Sequence, residues 1–192
     1  MKQPTVTGLI LAGGRGARLG GRDKGLEPWH GRPLTAWVLE RLEPQVAGVI
    51  ISANRNLKAY QAFGHPVVTD IIADHAGPLA GLQAGLAACT TPLLAAVPCD
   101  APALPKDLVT LLQGALEDGA AAAAVAKVSG RLQPTFLLCR REAMESLGTF
   151  LAAGGRRCHD WLTEIGAISV PFAAGDFLNL NTPEDFSIKI SP

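Results

Sequence analysis

The segment from Val6 to Gly25 constrains the fold of this chain more than any other. Its first part, Val6–Ala12, is almost continuously apolar and partly β-branched, which is typical of a central parallel strand buried on both faces. Glycines and cations follow at once, namely Gly13, Gly14, Arg15, Gly16, Arg18, Gly20, Gly21, Arg22 and Lys24. Glycine lets backbone amides approach an anion closely, and cations neutralise its charge. The segment therefore predicts a polyphosphate site at the carboxyl end of a buried strand.

Two familiar phosphate-binding loops do not fit this segment. Gly16 and Gly21 have the spacing of a Walker A loop, but Arg22-Asp23 follows where Lys-Ser/Thr is required. Gly14 and Gly16 begin a G-x-G-x-x-G fingerprint, but Leu19 stands at the position of the third small residue. The sequence thus argues against a P-loop NTPase and against an NAD-binding enzyme. An ordinary basic surface loop is the remaining structural alternative.

The rest of the chain alternates between strand and helix patterns. Further strands are predicted at 46–52, 67–70, 93–97, 119–128, 133–139, 168–172 and 177–181. Helices are predicted to begin at Pro33, Leu57, Gly77, Pro105, Arg140, Arg156 and, after a Thr182 cap, Pro183. A turn is predicted at Gly130-Arg131. This order predicts an α/β fold of three layers, α/β/α, with a mostly parallel, mixed sheet in one domain.

Several strand ends carry candidate site residues. Asp100 follows the strand at 93–97, at the edge where open α/β sheets bind ligands, and is the metal candidate. A turn-capping role is the alternative for this aspartate. Gly77, Gly81 and Gly85 recur every four residues on one helix face. Gly85 suits close helix packing, whereas the other two lie near the helix N-terminus, where an anionic ligand is favoured.

The overall charge excludes some classes of partner. Seventeen basic and seventeen acidic residues give a formal net charge of zero, so neither nucleic acid nor an anionic membrane is expected as a partner. No apolar run approaches the roughly 20 residues of a membrane span, and the N-terminus does not resemble a signal peptide. We expect a cytoplasmic protein. Its four cysteines show no C-x-x-C spacing and its four histidines are scattered, so zinc is not expected.

Five motifs in a fixed order identify a resemblance that spans nearly the whole chain. The first, Leu11–Gly25, has the form L-x-G-G-x-x-x-R-[M/L]-G and ends in Gly-Gly-x-Asp-Lys-Gly. The others are Ser52–Arg55, Gly77–Gly81, Pro98–Asp100 and Asn179–Asp185. Together they resemble the molybdenum cofactor guanylyltransferases, a branch of the nucleotidyltransferases. Leu19 stands where many members have Met, which is a volume-conserving change.

The resemblance implies a Rossmann-like nucleotidyltransferase domain over residues 1–192. Its N-terminal half would bind GTP and Mg²⁺, and its C-terminal half would bind molybdopterin. The implied reaction transfers GMP from GTP to the terminal phosphate of molybdenum-molybdopterin and releases pyrophosphate. Besides these substrates, the resemblance leaves room for transient contacts with cofactor-synthesis or acceptor enzymes. We expect a monomer.

Carried over residue by residue, the resemblance implies three sets of site residues. The catalytic candidates are Lys24, Asp100 and Arg18. Asp100 is also the expected Mg²⁺ ligand, and one carboxylate suffices because Mg²⁺ takes its other ligands from phosphate and water. The expected nucleotide contacts are Leu11, Ala12, Gly13, Gly14, Lys24, Asn54, Asp70, Gly77 and Asp100. The expected pterin contacts are Asn179, Asn181 and Arg156.

Two other functions remain open on the sequence alone. A cytidylyl or sugar-1-phosphate transferase would use the same glycine-rich loop, although the Gly-Gly-x-Asp-Lys-Gly and Asn-x-Asn-Thr-Pro-Glu-Asp motifs argue against it. A nucleotide-binding regulator without catalysis would need only the binding residues. The presence of both Lys24 and Asp100 argues against that alternative.

Overall fold

A computed structural model describes residues 5–14, 21–72, 77–117, 120–173, 175, 177–180 and 185–186. The strands are β1 (Val6–Leu11), β2 (Pro28–Trp29), β3 (Arg32–Pro33), β4 (Gly48–Ser52), β5 (Val67–Val68), β6 (Leu93–Pro98), β7 (Ala123–Val128), β8 (Arg131–Arg140) and β9 (Ile168–Phe172). The helices are α1 (Leu34–Leu42), α2 (Leu57–Gln61), α3 (Pro78–Ala88), α4 (Leu108–Glu117), α5 (Ala143–Ala152) and α6 (Cys158–Glu164). Within this described part, no helix is both long and apolar enough to cross a membrane.

Seven of these strands form one mixed sheet in the order β5-β4-β1-β6-β8-β7-β9. The pairs β5-β4, β4-β1 and β1-β6 are parallel, so four carboxyl ends lie along one edge. Strand β8 runs antiparallel to both β6 and β7, and β9 pairs in parallel with β7. The prediction of a mostly parallel, mixed α/β sheet is confirmed.

Apolar patterning explains why the helices cover both faces of the sheet. Strand β1 is buried along almost its whole length, which requires a layer on each side. One layer is formed by α1, α2 and α4, whose buried residues include Val38, Tyr60 and Leu112. The other is formed by α3, α5 and α6, with Leu82 and Trp161 in its core. The central strands β1, β4 and β6 therefore lie between two apolar clusters, and their polar side chains reach a site only where the strands end.

Two predicted helix starts are wrong by about one turn, and long-range contacts explain both. Helix α4 begins at Leu108 rather than Pro105. The Gln45 side chain explains this start, because its Nε2 donates a hydrogen bond to the Pro105 carbonyl and its Oε1 accepts one from the Val109 amide. Helix α5 begins at Ala143 rather than Arg140, because strand β8 continues through Arg140. The Arg140 guanidinium also donates to the Ala121 and Leu116 carbonyls.

The turn before β8 also differs from the prediction. Ser129 and Gly130 occupy the loop with φ of 48° and 80°, and Arg131 already pairs with Val128. Positive φ at both loop residues matches the right-handed twist of a hairpin. The turn is therefore shifted by one residue toward the N-terminus from the predicted Gly130-Arg131.

Two segments have structures that the sequence patterns did not predict. Strands β2 and β3 form a small hairpin, whose Trp29 is buried against Leu34 and Leu180. Residues 177–180 were predicted to form a strand, but they are irregular and are held to the sheet through Leu180, whose amide donates to the Asp100 carbonyl at 3.0 Å. The predicted Thr182 cap lies outside the described residues.

Candidate active site

A cavity of about 400 Å³ opens at the edge where the parallel strands end. Its walls come from the ends of β1, β4 and β6, from the N-terminus of α3 and from β8. The lining residues are Leu11, Ala12, Gly13, Gly14, Lys24, Ser52, Asp70, Gly77, Pro78, Gly81, Pro98, Cys99, Asp100 and Thr135. Much of this wall is backbone or small side chain, which suits close approach of a flat or anionic ligand.

An ion pair between Lys24 and Asp100 forms the charged centre of the cavity. Lys24 begins a single 3₁₀ turn, Lys24–Leu26, after the glycine-rich loop, and Asp100 follows β6. Their side chains are 20% and 16% exposed, so both charges face the cavity with limited access to solvent. The fold thus brings together one cation and one carboxylate that are 76 residues apart.

Asn54 holds Asp70 in place at the rim of the cavity. Its Nδ2 donates to Asp70 Oδ2 at 2.8 Å, and its Oδ1 accepts the Asp70 amide at 2.9 Å. A Cβ atom on Gly13 would lie 2.9 Å from the same Asn54 Nδ2, so glycine is required for this approach. Asn54 is therefore behind the wall that Gly13 and Asp70 form, and does not itself line the cavity.

Helix α3 packs closely enough on the sheet to require glycine along one face. A Cβ atom on Gly81 would lie 2.6 Å from Ser52 Oγ and 3.0 Å from Leu11 Cδ2. One turn further, a Cβ on Gly85 would lie 2.5 Å from a Leu9 methyl. Gly77 has φ of 69° at the helix start, where glycine is favoured. Gly77 and Gly81 line the cavity, whereas Gly85 serves helix packing, as its position predicted.

An irregularity in β8 brings Thr135 into the cavity. The register between β7 and β8 changes from Val125 opposite Leu137 to Ala126 opposite Gln133. The residues between these two partners on β8 have no partner on β7, so the strand bulges there. Thr135 lies in this bulge and lines the cavity, although it belongs to an antiparallel strand.

Asn179 and Arg156, two of the residues expected to contact the pterin, are not among the described residues that line the cavity. Asn179 adjoins Leu180, which is bound to Asp100, and its Oδ1 is buried with no hydrogen-bond partner in the described part of the chain. Arg156 donates to the Leu151 and Gly155 carbonyls at the end of α5. The other two candidates, Asn181 and Arg18, lie outside the described residues.

The donor set of this cavity fits a cation that is bound mainly through substrate oxygens. No group of three or more His, Cys, Asp or Glu side chains that could hold a metal occurs among the residues described. Asp100 alone therefore fits Mg²⁺, which usually takes one or two carboxylates together with phosphate oxygens and water. Cys99, next to Asp100, is not a competing ligand, since burial, and then the Asp100 charge, raises the pKa of its thiol.

Most of the expected nucleotide contacts lie together, and some lining residues were not expected. The cavity collects all of those candidates except Asn54. Ser52 and Thr135 were not predicted to line it. Ser52 ends a predicted parallel strand, so its position was a usable signal. Thr135 had no such signal, because neither the antiparallel insertion of β8 nor its bulge can be read from local patterns.

Comparison with known proteins gives a consistent family assignment. The sequence profile described as the MobA-like NTP transferase domain matches residues 8–165. The molybdenum cofactor guanylyltransferase of Cupriavidus taiwanensis is 48% identical over 186 residues, which cover 94% of each chain. Its relative from Cupriavidus necator, of the same name, has the same identity and coverage.

Solved structures agree on the fold. Molybdopterin-guanine dinucleotide biosynthesis protein A from Archaeoglobus fulgidus superposes with a TM-score of 0.73 at 20% identity, covering 94% of each chain. A Mycobacterium tuberculosis protein solved in complex with manganese superposes with a TM-score of 0.65 at 17% identity, covering 95% of this chain and 96% of its own. At these identities the likeness concerns the fold alone. The profile match and the 48% identity to guanylyltransferases show that this chain is a nucleotidyltransferase and belongs to the MobA-like molybdenum cofactor guanylyltransferase family.

Proposed function

We propose that this protein transfers GMP from GTP to the terminal phosphate of molybdenum-molybdopterin and releases pyrophosphate. The observation that carries the proposal is the Lys24–Asp100 pair in a cavity walled by the backbone of residues 11–14. Such a wall leaves room for a nucleotide, and the pair supplies a cation for phosphates and a carboxylate for a metal. Family membership selects guanine and the pterin among the substrates that such a site can take.

The nucleotide is placed by the strand ends on one side of Asp100. Gly13 and Gly14 allow the backbone to approach the phosphates or the base, and Asp70 presents a carboxylate that Asn54 orients. Asp70 can accept hydrogen bonds from ligand N–H or O–H groups. Fixed backbone and carboxylate groups reject a base with the wrong edge, because their buried polar atoms then remain unpaired.

The metal role belongs to Asp100. We propose that Asp100 would hold Mg²⁺, which takes its other ligands from phosphate and water and would supply positive charge at the pyrophosphate leaving group. The manganese in the mycobacterial structure of the same fold supports a divalent cation in general. Lys24 remains beside the phosphates and stabilises the charge that develops there. No general base is required, since the attacking group is already a phosphate oxygen.

The acceptor is proposed to bind on the side of Asp100 that faces β8 and residues 177–180. Asn179 supports this placement because its buried Oδ1 lacks a partner in the described chain, and Thr135 offers a hydroxyl on the same side. Arg156 and Asn181 are kept as pterin candidates from the resemblance, and Arg18 as a catalytic candidate. One chain supplies both sides of the cavity, so we expect activity from a monomer, in the cytoplasm where GTP is available.

The test is pyrophosphate release from purified protein with GTP, molybdenum-molybdopterin and Mg²⁺. We expect release only when all three are present, and GTP should exceed ATP and CTP in kcat/KM by at least about tenfold, since each unpaired buried group costs about 1–3 kcal/mol. Equal kcat/KM for CTP would assign the protein to cytidylyl transfer. GTP binding without pyrophosphate release would assign it to a regulator.

A further inference from the structure

The Arg55 guanidinium contacts both ends of the glycine-rich loop, which comprises residues 13–22. Its Nη1 donates to the Gly21 carbonyl at 2.6 Å, and its Nη2 donates to the Arg22 carbonyl at 2.6 Å and to the Gly14 carbonyl at 3.3 Å. Residues 15–20 lie between these contacts in sequence. A guanidinium presents five N–H donors in a fixed planar fork, so one side chain can hold several carbonyls at once. Arg55 therefore closes the loop at its base.

A buried carboxylate extends this connection to the residue before Lys24. Asp23, whose side chain is 6% exposed, has Oδ2 at 3.5 Å from Arg55 Nε. The same oxygen accepts from Asn56 Nδ2 at 2.9 Å, and Oδ1 accepts from the Tyr60 hydroxyl at 2.5 Å. Burial raises the pKa of Tyr60, so its hydroxyl keeps its proton and remains a donor. Asp23 is thus held by three side chains that belong to the segment after β4.

The residue after Lys24 is held as well. The Thr35 hydroxyl donates to the Gly25 carbonyl at 2.8 Å, and a Cβ atom on Gly25 would lie 2.5 Å from the Tyr60 hydroxyl oxygen. With Asp23 and Gly25 both fixed, the backbone at Lys24 has little freedom. Its ammonium is consequently directed at Asp100.

Arg55 itself is directed away from the ligand. It is not among the residues that line the cavity, and its described hydrogen bonds go to backbone carbonyls. Donors used in this way cannot also bind phosphate. A contribution of Arg55 to the reaction must therefore pass through the loop that it holds.

We propose that Arg55 is a positioning residue for the transfer reaction, fixing the base of the glycine-rich loop and, through Asp23, the place of Lys24 against Asp100. The inference rests on the proposed role of this cavity. It assigns to the arginine of the Ser52–Arg55 motif a function in Lys24 placement, distinct from ligand binding. Asn56 and Tyr60 act in the same assembly, through Asp23.

A double-mutant cycle tests whether Arg55 acts through Lys24. Arg55→Ala should lower kcat by roughly 10- to 100-fold, since small misplacements of a reacting-site group have effects of that size. In a Lys24→Ala background the same change should lower kcat by less than about threefold, because the group it positions is absent. An effect on the KM for GTP should persist in both backgrounds, since Gly14 and Gly21 lose their hydrogen bonds to Arg55 in each. Multiplicative effects on kcat would overturn the proposal.

Two further variants test whether Arg55 acts by holding the loop in place or only through its positive charge. Arg55→Lys should rescue kcat poorly, because one ammonium cannot reproduce a planar fork that holds carbonyls on both sides of the loop. Arg32→Ala removes a guanidinium that binds Glu40 and lies over Trp37, and should leave kcat unchanged. Full activity in Arg55→Lys would contradict the proposal. If Arg55→Ala fails to fold, Tyr60→Phe replaces it in the cycle, with the same loss of effect expected without Lys24.

Hydrogen exchange gives a readout that needs no substrate. The Leu26 and Glu27 amides are bonded to the Asp23 and Lys24 carbonyls, so they report on the turn that carries Lys24. Their exchange in full-length Arg55→Ala protein should be faster than in wild type by at least about tenfold, and unchanged in Arg32→Ala. Unchanged exchange in Arg55→Ala would overturn the positioning role. An inactive wild-type enzyme would instead contradict the proposed function and leave the exchange result standing.

Discussion

The two halves of the sheet reach the cavity in different ways. In the parallel half, β5-β4-β1-β6, the wall is made where strands end, by Leu11–Gly14, Ser52 and Asp100. In the mixed half, β8 passes the cavity along its length and contributes Thr135 through a bulge. The parallel half therefore provides most of the charged and backbone groups, whereas the mixed half provides a neutral hydroxyl. This division is consistent with the proposed binding of phosphates on the parallel half and of the acceptor on the mixed half.

Asp100→Asn, a substitution in the parallel half, should cause the largest loss of activity. Replacing the carboxylate that pairs with Lys24 with a neutral amide removes the proposed metal ligand, which should cost several kcal/mol of transition-state stabilisation, a rate loss of roughly a thousandfold or more. Pyrophosphate release at saturating Mg²⁺ measures it, with circular dichroism as a check on folding. Asp107→Asn, an exposed aspartate outside the cavity, is the matched control. Turnover within about tenfold of wild type would remove Asp100 from the metal site.

Lys24→Ala should have the second largest effect, and it should lower kcat much more than it weakens GTP binding. The backbone wall of residues 11–14 is unchanged in this variant, so the Kd for GTP should rise only a few-fold, while kcat should fall by roughly a hundredfold. Calorimetric titration and single-turnover rates on the same preparations compare the two quantities. Lys24→Arg should rescue poorly in so confined a position. Equal losses of affinity and rate would make Lys24 a binding residue.

In helix α3, which packs on the parallel half of the sheet, Gly85→Ala should lower stability alone, whereas Gly81→Ala should lower both stability and GTP binding. The added methyl at 85 meets the fully buried Leu9, and such overpacking costs about 1–3 kcal/mol, or about 2–4 °C in Tm for each kcal/mol in a chain of this size. Thermal unfolding should show the loss, with kinetics of the folded enzyme unchanged. Gly81→Ala should show a similar loss together with a higher KM for GTP, because its methyl crowds Ser52 and Leu11 at the cavity wall. An unchanged KM there would limit Gly81 to packing.

The smallest effect on activity is expected from a substitution in the mixed half of the sheet. Thr135→Val removes one hydroxyl without changing the shape of the side chain, and a single neutral hydrogen bond contributes about 1 kcal/mol, or roughly fivefold in binding. The KM for molybdenum-molybdopterin should rise by that factor, while the KM for GTP stays the same. Initial-rate kinetics with each substrate varied in turn provide the measurement. A rise in the KM for GTP alone would place Thr135 on the nucleotide side and reverse the comparison.

The sequence predicted the parallel half well because its rules are local. A buried strand followed by glycines, or by Pro-Cys-Asp, indicates a site at a strand end, and the structure places both such ends at one cavity. The fold class and the family assignment are both confirmed. The residue roles drawn from the resemblance stay predictions, including those of Arg18 and Asn181 outside the described chain.

The remaining features depend on contacts between distant residues. The start of α4 is fixed by Gln45, some 60 residues earlier, and no window around Pro105 contains that information. Thr135 reaches the cavity through a register change that depends on β7. Asp23 is buried because Arg55, Asn56 and Tyr60 surround it, and all three lie more than 30 residues away in the sequence. Such features follow from tertiary contacts rather than from residue patterns.

The strand order also determines when, during synthesis, the sheet can be completed. Strand β6 pairs with β1 on one side and with β8 on the other, and β7 comes between β6 and β8 in the chain without pairing with β6. The backbone N–H and C=O groups along one edge of β6 therefore stay unpaired until the ribosome has delivered Arg140. Unpaired edges of strands with apolar side chains associate with other chains. We expect nascent chains that end at Glu117 to aggregate or to bind chaperones, and chains that extend past Arg140 to do so much less, as sedimentation of stalled translation products would measure.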